Sequence, residues 1–165
     1  MADQFGVAHG VTVAPEPFGS TTAQRLRGEL GRELVERYGG DSEPGSKPAR
    51  DDVMVFLVAR DGHGEPVGCG ALRDLGGGAG EIKRMYVRPA ARGGAVSRRL
   101  LEALEADARE RGFVVCRLET GVRQPEAMAL YRSVGYREIE GFGAYAGMPL
   151  SRCFERWLDA PESPA

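Results

Sequence analysis

The sequence predicts a single α/β domain, and three observations support that prediction. Several short stretches have the apolar content and length of β-strands, and longer stretches with apolar residues at helical spacing lie between them. A chain of 165 residues suits one domain and can bury roughly 70% of the surface that its unfolded form exposes. Neither an internal repeat nor a domain boundary is visible, so residues 1–165 are expected to form one unit with loose ends at 1–10 and 159–165.

The N-terminal region predicts a short strand and a long helix. Residues 11–13 form the strand candidate, which Pro15 ends. Residues 20–38 are typical of a helix, because a hydroxyl residue at position 20 or 21 can cap it and two glycines follow it. Its apolar side chains recur every four positions, at Leu26, Leu30, Leu34 and Tyr38.

The next segment predicts a loop and then a β-hairpin. Residues 41–52 contain two prolines, two serines and mixed charges but no apolar anchor, which is typical of a mobile loop. Residues 53–59 form an almost unbroken apolar run that predicts a buried strand, and residues 67–75 predict the strand that returns beside it. Gly68 and Gly70 remove side chains from one face of that second strand, which indicates a close neighbour or a bulge.

A strand, a small-residue turn and a helix follow, and they form the central feature of the chain. The glycine-rich residues 76–80 precede a strand rather than opening a helix, so they predict a flexible hairpin connection. Residues 81–87 alternate with a period of two, as a half-buried strand does, and Pro89 stops that strand. The following helix ends at Gly112. Its single apolar stripe consists of Val96, Leu100, Leu101, Leu104 and Ala108.

Three further strands and one helix complete the prediction. Residues 114–119 form a strand and residues 120–124 a loop. Pro125 is well placed at the first turn of a helix that runs to about Val134. The last two strands cover residues 136–139 and 151–158.

Charge and hydropathy argue against several classes of function. The formal net charge is −2 at pH 7, which disfavours strong attraction to nucleic acid or to anionic lipid. No apolar run approaches the roughly 20 residues of a membrane span, and the N-terminus lacks the basic flank and apolar core of a signal peptide. We therefore expect a cytoplasmic protein that binds neither nucleic acid nor a membrane.

The cysteines and histidines offer little nucleophilic or metal chemistry. Cys69 and Cys116 each lie inside an apolar run and Cys153 precedes a phenylalanine, so buried reduced thiols are expected. A cysteine nucleophile would need a histidine base, and His9 and His63 lie in polar or glycine-rich surroundings. No cluster supports a metal site.

The turn between the central strand and its helix predicts an anion site. Residues 92–97 combine one guanidinium with four very small side chains. The first N–H groups of a helix have no partner within it, and the helix dipole makes this end positive. Small residues let a phosphate approach those groups, and the fork of Arg92 suits phosphate oxygens. An ordinary strand-to-helix connection, in which the glycines only relieve packing, is the structural alternative.

The same residues resemble the acetyl-CoA site of the GNAT superfamily of N-acetyltransferases. That family's motif is Arg or Gln, two residues, Gly, one residue, then Gly or Ala, and its fixed positions hold Arg92, Ala95 and Ser97 here. A second match, over residues 127–136, resembles the closing helix of the family and the entry to its final strand. Both matches follow the family's order, and the resemblance covers roughly residues 50–158.

The resemblance implies a fold and a cosubstrate. It implies a mixed, mostly antiparallel sheet of six or seven strands with about four helices, in which two central strands splay to open a cleft for acetyl-CoA. The pantetheine arm would lie beside the central strand, and the diphosphate would lie at the helix N-terminus. Gln124 stands where the family commonly has Asn. The cofactor-binding residues predicted in this way are Met85, Tyr86, Val87, Arg92, Gly93, Gly94, Ala95, Val96, Ser97, Arg98 and Gln124.

Two catalytic roles follow from the chemistry of amine acetylation and from the resemblance. A lysine-like amine has a pKa of roughly 10.4, so a base must take its proton if it is to attack a thioester. Glu81 is the first candidate, because the family often has a base-forming Glu at this position, and Glu119 is the second. Tyr131 matches the tyrosine that is proposed to protonate the departing thiolate. The structural alternatives are a strand-end carboxylate paired with an arginine such as Arg84 or Arg117, and a tyrosine packed in the core.

We therefore expect an enzyme that transfers an acetyl group from acetyl-CoA to a primary amine by direct attack in a ternary complex. Two alternatives remain: an acyltransferase that uses a longer acyl-CoA, and a CoA-sensing or partner-binding module without turnover. The acceptor is left open between small-molecule and peptide amines, and a homodimer is left open too. Candidates for the acceptor side are residues 41–52, Tyr38, Arg84 and Tyr145.

Overall fold

The computed structural model describes residues 10–39 and 52–158, which build one seven-stranded sheet with helices on both faces. The strands lie in the order β1-β2-β3-β4-β5-β7-β6. Their bounds are β1 (Thr12–Pro15), β2 (Val55–Arg60), β3 (Pro66–Gly76), β4 (Ala79–Val87), β5 (Val115–Gly121), β6 (Arg137–Ile139) and β7 (Ser151–Trp157). The described helices are α1 (Thr21–Tyr38), α2 (Val96–Glu110) and α3 (Pro125–Ser133).

This architecture confirms the predicted fold class. β4 and β5 are parallel, and the other neighbouring strands are antiparallel. The described residues contain three α-helices, together with short 3-10 turns such as Pro89–Ala91 and Gly143–Tyr145, where about four helices were predicted. The predicted loop at 41–52 and the predicted loose ends at 1–10 and 159–165 lie outside the described residues, apart from residues 10 and 52.

Local signals position α1 as the sequence predicts. Ser20 is the N-cap, and its side chain accepts a hydrogen bond from the Ala23 amide at 3.0 Å. Gly39 ends the helix with a left-handed φ of 74°, and its N–H donates to the Val35 carbonyl at 2.7 Å. The face of α1 that packs on the sheet includes the buried residues Ala23, Leu26 and Leu30.

Helix α2 packs on the opposite face, directly over the two glycines of β3. All five residues of its predicted apolar stripe are buried. A Cβ built on Gly68 would lie 3.2 Å from side-chain atoms of Val96 and Leu100, and one on Gly70 would lie 2.8 Å from Leu104. The register between β3 and β4 also shifts between Cys69 and Ala71. The expected close neighbour and the expected bulge are therefore both present.

Residues 81–87 lie within β4, which confirms the predicted strand, but the prediction that this strand is half-buried is wrong. Residues 79–83 of β4 are all buried, because α1 covers one face of the sheet and α2 the other. Arg84 has a φ of 58°, which accompanies the bulge opposite β3 and interrupts the simple alternation. β5 also extends to Gly121, so Thr120 and Gly121 belong to the strand rather than to the predicted loop.

Candidate active site

A cleft opens in the middle of the sheet because β4 and β5 stop pairing part of the way along. Their parallel ladder joins Ala79–Ile82 to Val115–Leu118 and goes no further. A larger cavity of about 320 Å³ and a smaller cavity of about 120 Å³ lie beyond this point. The two adjoin, because both are lined by Leu30, Met85, Gln124, Ala127 and Tyr131.

The N-terminus of α2 presents amide groups to the larger cavity. Within the described parts of the chain, none of the N–H groups of residues 93–98 donates to a protein acceptor; the next amide, of Arg99, donates to Ala95 at 2.9 Å. Gly93, Gly94 and Ser97 line the cavity wall. Since this is also the positive end of the helix dipole, an anion here would meet several available donors.

Arg92 is engaged by the protein on the rim of the same cavity. Its Nε donates to the Val87 carbonyl at 2.8 Å, and its Nη2 lies 2.5 Å from Oε1 of Glu33. Glu33 thus binds one edge of the Arg92 guanidinium, the group that was predicted from the sequence to bind phosphate. A contact between Arg92 and phosphate stays a prediction.

The free edge of β4 faces the cleft with its backbone groups. Val87 opposes Gly68, and the neighbouring Arg88 amide donates to the Val67 carbonyl of β3 at 2.8 Å. Because backbone groups alternate along a strand, those of Val87 point away from β3 and into the cleft. Met85, two residues earlier, lines both cavities. The Val87 carbonyl already accepts from Nε of Arg92, so an extended ligand on this edge would bond to the Val87 N–H.

Glu81 lies in the wall of the smaller cavity and is 1% exposed. Its Oε1 is 2.8 Å from Nε of Arg73, which is its direct cross-strand partner on β3, although the two atoms are not aligned as a hydrogen bond. Its Oε2 is buried without a hydrogen-bond partner among the described residues. A buried unsatisfied polar atom costs roughly 1–3 kcal/mol, so Oε2 is set to accept a hydrogen bond from a ligand or water.

The smaller cavity also contains a buried lysine that the sequence analysis missed. Lys83 is 9% exposed, and its Nζ donates to the Tyr145 hydroxyl at 2.8 Å. Glu119, the second base candidate, lines the same cavity. Glu81 and Lys83 are two residues apart on one strand. Because side chains alternate along a strand, this spacing could have predicted from the sequence that both face the same side of the sheet.

Tyr131 stands in the wall that the two cavities share. It is 5% exposed and packs against Tyr136 and Phe154, with ring centroids 5.9 Å and 6.2 Å away. Burial, with a smaller contribution from the charge of Glu119, raises the pKa of the Tyr131 phenol well above its ordinary value. The phenol therefore keeps its proton at neutral pH and is a weaker acid than an ordinary tyrosine.

The end of α1 is tied to the start of α3 across the cleft. The Tyr38 hydroxyl accepts from the Arg123 amide at 3.1 Å and donates to Oε1 of Gln124 at 3.4 Å. The same Gln124 oxygen accepts from the Gly121 amide at 3.1 Å. A Cβ on Gly121 would lie 1.8 Å from the Tyr38 hydroxyl, so this approach requires glycine. Gln124 lines both cavities, as its predicted cofactor role requires.

The cysteines are buried as predicted, and their thiols are poor nucleophiles. Burial raises the pKa of Cys69 and of Cys116 to about 12, and it also raises the pKa of Cys153. No group of histidine, cysteine, aspartate and glutamate residues that could hold a metal occurs in the described ranges. None of the described helices is both long and apolar enough to cross a bilayer.

The structure brings most of the predicted site residues to the cleft. Glu81, Glu119 and Tyr131 line the smaller cavity, as do Tyr38, Arg84 and Tyr145. Three predicted cofactor residues are absent from the lining of the two cavities: Ala95 is the N-cap of α2, Val96 has its side chain in the core, and Arg98 is exposed. The predicted cofactor residues that line the larger cavity are Met85, Tyr86, Val87, Arg92, Gly93, Gly94, Ser97 and Gln124.

Comparison with known proteins agrees with this geometry. The pattern of the Acetyltransferase (GNAT) family matches residues 23–136. The chain is 45% identical over 135 residues to an IAA acetyltransferase of Azospirillum brasilense, an alignment that covers 76% of this chain and 87% of that protein. A structure from Klebsiella pneumoniae assigned as an acyl-CoA N-acyltransferase is 36% identical with a TM-score of 0.78, and the match covers 90% of this chain and 98% of that one.

A more distant relative shares the fold alone. A GNAT family acetyltransferase of Elizabethkingia anophelis, solved with acetyl-CoA bound, is 17% identical with a TM-score of 0.64, and the match covers 90% of this chain and 99% of that one. The family match, the close relatives and the cleft beside β4 agree. This chain therefore belongs to the GNAT family of acetyltransferases, enzymes that transfer an acyl group from an acyl-CoA.

Proposed function

We propose that this protein transfers an acetyl group from acetyl-CoA to a primary amine held in the smaller cavity, by direct attack within a ternary complex. The proposal is supported above all by the wall that the two cavities share. Gly93, Gly94 and Ser97, whose amides have no protein acceptor, line the larger cavity, and Glu81, whose Oε2 is unsatisfied, lines the smaller one. A thioester and an amine can thus occupy adjoining spaces.

The residues present fit the parts of acetyl-CoA. The diphosphate is expected at the amides of residues 93–98, and the pantetheine arm along the free edge of β4 beside Met85 and Val87. The thioester then lies near Tyr131, in the wall between the two cavities. The smaller cavity of about 120 Å³ has to hold the acyl group and the reacting amine together, which favours acetyl over longer acyl chains.

The reaction needs two proton transfers, and the cleft offers a group for each. The amine nitrogen attacks the thioester carbonyl, and its proton passes to Glu81 directly or through water. The carbon–sulfur bond then breaks, and the CoA thiolate takes a proton from the Tyr131 hydroxyl. Glu119 is the second candidate for the base. No cysteine lines either cavity in the described chain, which favours direct transfer over a covalent acetyl-enzyme.

The test is a thiol-release assay with acetyl-CoA across a panel of amines. IAA, which is not a primary amine, is assayed beside the panel as a separate acceptor, because the Azospirillum relative is named for it. We expect at least one amine to release CoA, and Tyr131→Phe to lower kcat about 10²-fold, because the thiolate loses its acid. Tyr136→Phe is the matched control: Tyr136 packs on Tyr131 but lines neither cavity, so its variant should keep kcat within about threefold.

Two results would contradict the proposal. Tight CoA binding without thiol release for any acceptor would indicate the CoA-sensing alternative. Equal losses of kcat in the two tyrosine variants would mean that packing in this aromatic group, rather than the Tyr131 hydroxyl, governs the rate.

A further inference from the structure

Tyr145 lies between the smaller cavity and a second cavity, which is lined by residues of β6, β7 and the segment that connects them. This outer groove has a volume of about 570 Å³ and lies along the segment between β6 and β7. Tyr145 and Ser151 line both the outer groove and the smaller cavity. The larger, CoA-side cavity shares neither residue. The outer groove therefore meets the smaller cavity at the end away from the predicted cofactor.

The Tyr145 side chain is held firmly in that position. It is 6% exposed, its hydroxyl accepts from Lys83 at 2.8 Å, and its ring meets Phe142 edge-on with centroids 5.3 Å apart. The Tyr145 amide also donates to the Phe142 carbonyl at 3.0 Å. A Cβ on Gly141 would lie 2.6 Å from the Tyr145 carbonyl oxygen, so the chain passes closely there. The ring is thus a fixed wall.

The volumes of the two cavities beside Tyr145 indicate how its ring could affect the choice of acceptor amine. The smaller cavity, at about 120 Å³, is below the roughly 300–1,000 Å³ of pockets that hold drug-sized ligands. The outer groove is several times larger. An amine whose long substituent points towards the outer groove would meet the Tyr145 ring.

We propose that Tyr145 is the residue that limits acceptor length, by closing the smaller cavity with its ring. This inference rests on the proposed function, because it concerns the amine that the smaller cavity is proposed to hold. It predicts that the wild-type protein prefers short primary amines, and that removing the ring joins the smaller cavity to the outer groove.

The experiment compares wild type, Tyr145→Ala and Tyr145→Phe on straight-chain primary amines of increasing length. The measured quantity is the ratio of kcat/KM for the longest amine to that for the shortest. We expect Tyr145→Ala to raise this ratio at least about tenfold, since pocket contacts discriminate by such factors. Tyr145→Phe keeps the ring, so its ratio should stay within about threefold of wild type even if the lost Lys83 contact lowers the overall rate.

Two results would overturn the inference: an unchanged ratio in Tyr145→Ala, or an equal rise in both variants, which would assign the effect to the hydroxyl. Thermal unfolding and CoA binding are measured on each variant, and Tyr145→Leu replaces Tyr145→Ala if the latter does not fold. Failure of the proposed function is distinguishable, because the wild-type protein would then release no thiol with any amine.

Discussion

Two buried glutamates of this protein differ in how well they are satisfied. Glu81, in β4, and Glu105, in α2, are 1% and 2% exposed, and each lies beside one arginine. Both oxygens of Glu105 accept from Arg156, at 3.1 Å and 2.7 Å, and the Tyr136 hydroxyl adds a contact at 3.4 Å. Among the described residues, Glu81 has one ion-pair contact, with Arg73, and an unsatisfied oxygen.

Under the proposed mechanism, this difference separates a reacting carboxylate from a structural one. A buried carboxylate whose two oxygens both accept hydrogen bonds from the protein contributes to the stability of the fold and has less to offer a ligand. A buried carboxylate with an unused oxygen on a cavity destabilises the fold slightly and gains from a bound donor. Burial alone would have grouped the two glutamates together.

The largest expected effect comes from replacing each glutamate by glutamine. Glu81→Gln should lower kcat about 10²–10⁴-fold, because the amide cannot take a proton from the amine, while Tm changes by a few degrees at most. Glu105→Gln should leave kcat within about threefold and lower Tm, because the pair with Arg156 is weakened. Steady-state kinetics and thermal unfolding on both variants test the comparison, and the reverse assignment of effects would refute it.

A second test removes the arginine from the satisfied glutamate. Arg156→Met should lower the free energy of unfolding at pH 7 by about 2 kcal/mol, since it leaves the buried Glu105 charge without its partner. Burial already raises the pKa of Glu105 above its ordinary value of 4.5. The folded state therefore takes up a proton more readily than the unfolded one, and stability attributable to this group falls as pH rises through the folded pKa.

The loss in Arg156→Met should consequently shrink as the pH is lowered towards 4.5, where the neutral acid needs no partner. Urea unfolding at several pH values measures it. Arg137→Met is the control, because the Arg137 side chain is 72% exposed and Glu155 keeps Arg117, so Tm should barely change. A pH-independent loss in Arg156→Met would contradict the assignment.

The smallest effect concerns a partly exposed ion pair between α1 and the end of β4. Arg88 donates to both oxygens of Glu29, at 2.9 Å and 2.8 Å, and this contact lowers the pKa of Glu29 from 4.5. The stability that this ion pair adds to the folded state is therefore present above pH 4.5 and is lost as pH falls through the lowered pKa of Glu29. Glu29→Gln should cost about 1 kcal/mol at pH 7 and less at pH 3.5, by urea unfolding.

A double-mutant cycle with Arg88→Gln checks the source of that effect. The two single losses should not add, because each variant breaks the same pair. Additive losses would show that Glu29 stabilises the fold by another route.

The elements of the fold could largely be predicted, because their signals are local. Ser20 caps α1, Gly39 ends it, and the stripe of α2 is buried as its spacing indicates. The error over β4 has a non-local cause. A strand covered by helices on both faces buries its polar residues too. The sequence of residues 81–87 does not indicate which helices pack on the strand.

The residues that line the cleft were predicted in part, and their contacts were missed for the same reason. The small-residue turn at 93–97 predicts an anion site from local composition, and that site stays a prediction. The pairings of Glu81 with Arg73 and of Lys83 with Tyr145 join different strands or loops, the second over 62 residues of chain. Such contacts depend on register and packing, which a single sequence does not display.

By itself, then, the sequence determined the order and type of the elements and the position of the amide-rich turn, because capping, periodicity and small side chains act over a few residues. Tertiary structure alone decided where β4 parts from β5, which carboxylate keeps an unused oxygen, and which ring closes the smaller cavity. These features arise where distant segments meet, and their energies come from burial and hydrogen-bond partners that exist only in the folded chain.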